Sequence, residues 1–230
     1  MPLDLPRIRA ICFDVDGTLS NTDDQFVLKL VNLLSPVQSL FPNFDSQAFS
    51  RKVVMATETP GNYFFGLPDR LQIDDEIASI GDFIYRMGLG KEQHPFLLID
   101  GAKTMLEKLY PHYPLAVVSA RGERSTGWFL DQFNLWPLFK TVVTAQTCAY
   151  TKPYPDPIEW AAKEMGVLPY ECLMVGDTTV DILAAKAAGA QSIGVLCGFG
   201  ERDELKAAGA DMIVKTTQDI TSTLLGHSRI

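Results

Sequence analysis

Residues 8–22 read IRAICFDVDGTLSNT, an apolar run that ends in two aspartates and a glycine. Ile8, Ala10, Ile11, Cys12 and Phe13 have the character of a short strand buried on both faces, as in the middle of a parallel sheet. Gly17 breaks the run. Asp14 and Asp16 are two residues apart, so continued extension sends both side chains to the same side of the backbone. That puts two carboxylates at a strand's C-terminal end, where open α/β sheets bind ligands. Like charges so close raise each other's pKa unless something positive lies between them, and a divalent cation is the simplest candidate.

Beyond residue 22 the pattern becomes helical. Phe26, Val27, Leu30, Val31 and Leu34 recur at three- and four-residue steps, Pro36 ends that helix, and further helices are expected over residues 46–56 and from about residue 74. Between these, residues 58–68 (ETPGNYFFGLP) read as an ordered loop. No strand pattern occurs from residue 22 to residue 94. From Gly101 onward, strands are expected over residues 115–118, 141–145, 172–175, 192–196 and 212–214, alternating with helices over 101–109, 123–133 and 158–165, one headed by residues 176–181 and running to 188, one over 202–208, and a terminal helix. Strands alternating with helices mean an α/β fold, a parallel sheet with helices on both faces and right-handed crossovers. The helical stretch then reads as a small domain inserted into it.

The 230 residues carry a net charge of −8, which disfavours binding to nucleic acid or any polyanion. Four widely spaced cysteines without a CxxC read as buried small hydrophobes in a reducing cytoplasm. The first residues, MPLDLPRIR, lack a signal-peptide core, and no stretch approaches the roughly 18 apolar residues of a membrane span. His94, His112 and His227 show no metal-ligand spacing, residues 74–76 read as a solvated helix start, and Gly198-Phe199-Gly200 reads as a strand-to-helix turn.

Four polar clusters stand at the ends of four expected strands: Asp14 with Asp16, Ser119, Lys152 just beyond its strand, and Asp177 with Asp181. Their order and contexts resemble the haloacid dehalogenase superfamily, within it the phosphoglycolate phosphatase and β-phosphoglucomutase-like group. The matching motifs are DxDGT, a Ser or Thr, a Lys before prolines, and GDxxxD. The resemblance implies a Rossmann-like catalytic core over residues 1–21 and 96–230, with an all-helical cap over 22–95. It further implies that Asp14 is a nucleophile forming an aspartyl phosphate, and that Asp16 acts as general acid and then base. Asp16 also argues against a dehalogenase, since a departing halide needs no proton.

By the same resemblance, Mg2+ would be held by the Asp14 carboxylate, the Asp16 backbone carbonyl and Asp177. Asp181, one helical turn on, would hold a metal-bound water or orient a ligand, or simply serve as a helix-start carboxylate. Lys152 would hold Asp14 and the phosphoryl group, displayed by the stiff turn of Pro153, Pro155 and Pro157. Ser119 and the Ala120 amide would bind a phosphoryl oxygen. Arg121 stands where relatives often carry Asn; it either reaches a second anionic group on the substrate or points to solvent. Asn21 replaces a frequent Asp and lies at the expected hinge.

Hinges are expected over residues 19–22 and 95–100, and Arg51, Lys52 and residues 62–65 are candidate specificity residues in the cap. The expected activity is a Mg2+-dependent cytoplasmic phosphatase acting on a small phosphorylated metabolite, as a monomer or weak homodimer. A phosphomutase on the same core and a non-catalytic binding protein are the alternatives.

Overall fold

The computed structural model describes residues 3–21 and 96–226. The expected helical insert lies outside these residues, together with Arg51, Lys52, residues 62–65 and 74–76, His94 and His227. Within them are six strands: β1 (Ala10–Phe13), β2 (Leu115–Val118), β3 (Thr141–Val143), β4 (Cys172–Gly176), β5 (Gln191–Val195) and β6 (Met212–Val214). They form one sheet in the order β3-β2-β1-β4-β5-β6, and every neighbouring pair is parallel. The described helices are α1 (Ala102–Leu109), α2 (Glu123–Phe133), α3 (Asp156–Met165), α4 (Thr179–Ala187), α5 (Arg202–Ala208) and α6 (Asp219–Leu225). The expected Rossmann-like α/β core is what the chain adopts.

Alternation along the strands explains why the sheet is covered on both sides. Ile11 and Phe13 of β1, Leu115 and Val117 of β2, and Leu173 and Val175 of β4 share one core with Leu106 of α1, Phe129 of α2 and Ile220 of α6. Ala10, Cys12, Ala116, Val118, Cys172 and Met174 face the opposite core, with Ile158 and Ala161 of α3 and Ala184 of α4. Because successive side chains leave on opposite faces, a continuous apolar strand demands a layer on each side. Burying a Leu or Phe side chain stabilises the fold by about 1.5–3 kcal/mol, so the central strands dominate this core.

Two boundaries differ from expectation for local reasons. β3 ends at Val143, because the Thr144 amide leaves the ladder to donate to Thr147 Oγ1 at 2.9 Å. α3 starts at Asp156, two residues early, since Pro157 is tolerated in a first turn where its missing N–H costs nothing.

From β1 the chain steps to β2 and β3 on one side, then crosses from β3 to β4 on the other side of β1 and continues outward to β5 and β6, so the strand order reverses at β1/β4. Such a switch point opens a crevice at the strands' C-terminal ends. Beside it, residues 19–21 and 97–99 run antiparallel: the Asn21 amide donates to Leu97 O at 2.7 Å and the Ile99 amide to Leu19 O at 2.9 Å. All four cysteines are free; Cys12 and Cys172 are buried as expected, whereas Cys148 and Cys197 are only half-buried. Among the described residues no helix is long and apolar enough to cross a membrane.

Candidate active site

The site begins where β1 ends. The Asp14 amide donates to Val175 O at 2.9 Å, which carries the β1/β4 ladder one residue further and holds Asp14 at the switch point. Gly17 then turns at φ 67°, a left-handed conformation that glycine adopts without steric cost. The Leu19 and Ser20 amides close the turn by donating to Val15 O at 2.9 and 2.7 Å.

Lys152 lies at the centre of the cluster. Its Nζ donates to Asp14 Oδ1 at 2.7 Å and to Asp181 Oδ1 at 2.6 Å, with the lysine side chain only 3% exposed. Its turn is closed by the Tyr154 amide donating to Thr151 O at 3.0 Å. Burial alone would lower the lysine's pKa, but the Asp14 and Asp181 carboxylates outweigh it and hold the ammonium well above its ordinary value. Asp14 is pushed up to about 7, chiefly by burial and further by Asp181 and Asp16, with Lys152 opposing.

Asp181 serves two ends. Its Oδ2 accepts from the Thr178 amide at 3.1 Å and from Thr178 Oγ1 at 2.8 Å, which caps α4, while Oδ1 faces Lys152. The helix-start role expected for Asp181 is thus met by Oδ2, and Oδ1 pairs with Lys152. Gly176 makes this possible, because a Cβ there would overlap the Asp181 carboxyl.

Asp177 is wholly buried. Its Oδ1 accepts from Thr18 Oγ1 at 3.3 Å and its Oδ2 from the Phe199 amide at 2.8 Å. The segment read from sequence as a simple turn thus touches a candidate metal ligand. The pair of glycines two apart was the available signal.

Arg121 does not point to solvent, one of the two expectations for it. Its Nε donates to Asp16 Oδ2 at 2.5 Å and its Nη2 to Asp16 Oδ1, a bidentate pair, with the guanidinium 5.1 Å from the centre of the Phe96 ring. Neither contact was legible in the sequence, since residues 16, 96 and 121 meet only through the fold. Ser119 is buried and its Oγ accepts the Arg121 amide at 3.1 Å, which leaves the hydroxyl proton to be donated elsewhere; Ala120 is exposed.

Carboxylate oxygens of Asp14, Asp177 and Asp181 lie within 4.8 Å of one another, all buried. Three clustered carboxylates, of which Asp14 and Asp181 share the one ammonium of Lys152, leave the cluster in need of positive charge, and hard oxygen donors suit a small divalent cation. The donor set therefore fits the expected Mg2+. The Asp16 side chain is turned to Arg121, so a contribution from that residue falls to its backbone carbonyl.

A family model described as haloacid dehalogenase-like hydrolase matches residues 11–195, from β1 to the end of β5. The chain belongs to that family. Pyrophosphatase PpaX of Anoxybacillus flavithermus is 31% identical over 226 residues, covering 97% of this chain and 100% of that protein. A probable phosphatase IndB of Dickeya dadantii is 31% identical over 215 residues, covering 91% of this chain and 90% of its own length. Among solved structures, a predicted phosphoglycolate phosphatase from Haemophilus somnus superposes with a TM-score of 0.68 at 25% identity, covering 94% of this chain and 98% of that one. The expected enzyme class, a phosphatase-type hydrolase of the haloacid dehalogenase-like family, is borne out.

Proposed function

We propose that this chain is a Mg2+-dependent cytoplasmic phosphatase that hydrolyses a small phosphorylated metabolite through an aspartyl phosphate on Asp14. The observation that carries this reading is the buried arrangement of Asp14 at the end of β1, within 2.7 Å of Lys152 and beside Asp177. With one oxygen held by Lys152, the other Asp14 oxygen attacks phosphorus and the bond to the leaving oxygen breaks. Asp16 gives that oxygen a proton, then takes one from the water that attacks the aspartyl phosphate and regenerates Asp14. Lys152 and the Ser119 hydroxyl face the phosphoryl oxygens, where fixed donors stabilise developing charge. When bound by Asp14, Asp177 and the Asp16 carbonyl, Mg2+ supplies further charge neutralisation at the phosphoryl group. Asp181 acts one step out, holding Lys152.

Arg121 narrows the substrate class. The guanidinium engages both Asp16 oxygens, whereas the first step needs that carboxyl turned to the leaving oxygen. A leaving group that carries its own anion, such as a carboxylate or second phosphate, draws Arg121 toward itself and frees Asp16. The names of the relatives, a pyrophosphatase and a predicted phosphoglycolate phosphatase, are in keeping with such a leaving group. Residues 22–95 form the cap in this reading, hinged where segments 19–21 and 97–99 run together, and its closure excludes water.

The test is phosphate release from pyrophosphate, phosphoglycolate, sugar phosphates, nucleotides and simple alkyl phosphates, with Mg2+ and with EDTA. Metal-dependent release, fastest for anionic leaving groups, is expected; a protein that binds Mg2+ yet releases phosphate from none of them would refute the reading. In Arg121→Ala, kcat/KM for anionic leaving groups is expected to fall about tenfold more than for alkyl phosphates, the scale of one charge-assisted hydrogen bond. An equal fall for both classes would reduce Arg121 to a support for Asp16.

A further inference from the structure

We propose that Thr18 and residues 197–200 form a brace that fixes the Asp177 carboxylate and thereby sets both the strength of divalent-cation binding and its preference for Mg2+ over Ca2+. This rests on the metal site proposed above and concerns residues that the chemistry itself does not use.

The two donors on Asp177 come from different loops, Thr18 after β1 and Phe199 after β5, at 3.3 and 2.8 Å. Those loops are tied together. Cys197 Sγ donates to Gly17 O at 3.4 Å and lies 3.2 Å from Thr217 Oγ1, which in turn donates to Thr18 O at 2.6 Å. Phe199 itself is only 4% exposed, so its backbone amide is held by a packed side chain.

The glycines flanking Phe199 are not there for turn geometry. The described glycines with positive φ are Gly17, Gly101, Gly166, Gly189 and Gly209, and neither Gly198 nor Gly200 is among them. Space is what requires them: a Cβ at Gly198 would overlap Asp177 Oδ2 and come within 2.7 Å of Gly17 Cα, and one at Gly200 would overlap Asp177 O. The loop is built to lie directly against Asp177, on both its carboxylate and its backbone.

A carboxylate held at both oxygens cannot readily rotate. Mg2+ takes six ligands in near-octahedral geometry, whereas Ca2+ accepts six to eight and often draws both oxygens of one carboxylate. A fixed Asp177 is thus suited to the smaller ion and resists the rearrangement that the larger one exploits. Outer partners of this kind typically change metal affinity about 10–100-fold when lost.

The experiment titrates Mg2+ and Ca2+ calorimetrically into the full chain, for wild type, Gly198→Ala and Thr18→Val, and records each protein's thermal midpoint in EDTA. For Gly198→Ala the Mg2+ dissociation constant is expected to rise about 10–100-fold and that for Ca2+ much less, so that the preference shrinks. Thr18→Val keeps the side chain's shape, loses only the hydroxyl donor, and is expected to move the same ratio several-fold; it carries the test if Gly198→Ala does not fold. An unchanged Mg2+/Ca2+ ratio in the folded variants, whatever happens to their thermal midpoints, overturns the brace. If wild type shows no Mg2+ binding, the metal site falls and the brace with it. Wild type that binds Mg2+ and releases phosphate, with variants of unchanged ratio, leaves the phosphatase reading standing and removes the brace alone.

Discussion

Asp14→Asn is expected to reduce phosphate release by about 10⁴-fold or more, the scale on which loss of a covalent nucleophile is felt in other hydrolases. The variant should still fold, because Lys152 keeps its contact to Asp181 Oδ1 at 2.6 Å. Its stability carries a second signature. In the metal-free wild type the Asp14 carboxyl is raised from 3.8 to about 7, mainly by burial, so the folded state keeps a proton that the unfolded chain gives up near pH 4. A raised folded pKa stabilises fully below the unfolded value and loses that contribution as pH rises through the folded one. The stability difference between wild type and Asp14→Asn, measured by urea unfolding in EDTA, should therefore decline from pH 4 to pH 7 and then flatten. A flat difference across that window would contradict the burial argument, and retained turnover would contradict the nucleophile.

Lys152→Met is the second large effect, on stability as well as rate. The substitution leaves Asp14 and Asp181 buried without their shared ammonium, and unpairing buried charge costs about 3–5 kcal/mol. Loss of the same cation beside the phosphoryl group is expected to lower kcat about 10²–10³-fold. Adding Asp181→Asn to Lys152→Met should recover part of the stability, since one uncompensated charge goes, while activity stays low. Denaturation in EDTA separates the two consequences. If the double variant is no more stable than the single one, Asp181 is not the lysine's second charge partner in solution.

That Asp14, Lys152 and Asp177 would stand beyond the C-terminal ends of strands was legible from the chain alone, because each follows an apolar strand pattern whose end is a fixed place in a parallel sheet. The Gly176-Asp177 pair was legible for the same reason, although the nature of the close approach, the Asp181 carboxyl folding back over Gly176, was not. The proline-rich turn after β3 marked Lys152 as a displayed side chain, but nothing local said that it would bridge two carboxylates. Arg121 and Gly198-Phe199-Gly200 were the places where local reading fell short. Both contacts are long-range: Arg121 meets Asp16 and Phe96, and Phe199 meets Asp177, across strands that are neighbours only once the sheet has its order.

Periodicity by itself determined the α/β class, the succession of strands and helices and the ends at which polar groups would collect, because side-chain burial repeats with the backbone's own period. Only the tertiary structure decided the strand order β3-β2-β1-β4-β5-β6 and hence the switch point, the pairing of Arg121 with Asp16, and the loop laid against Asp177. Those depend on which loops the assembled sheet brings together, and contacts between segments far apart in sequence leave no periodic trace within either one.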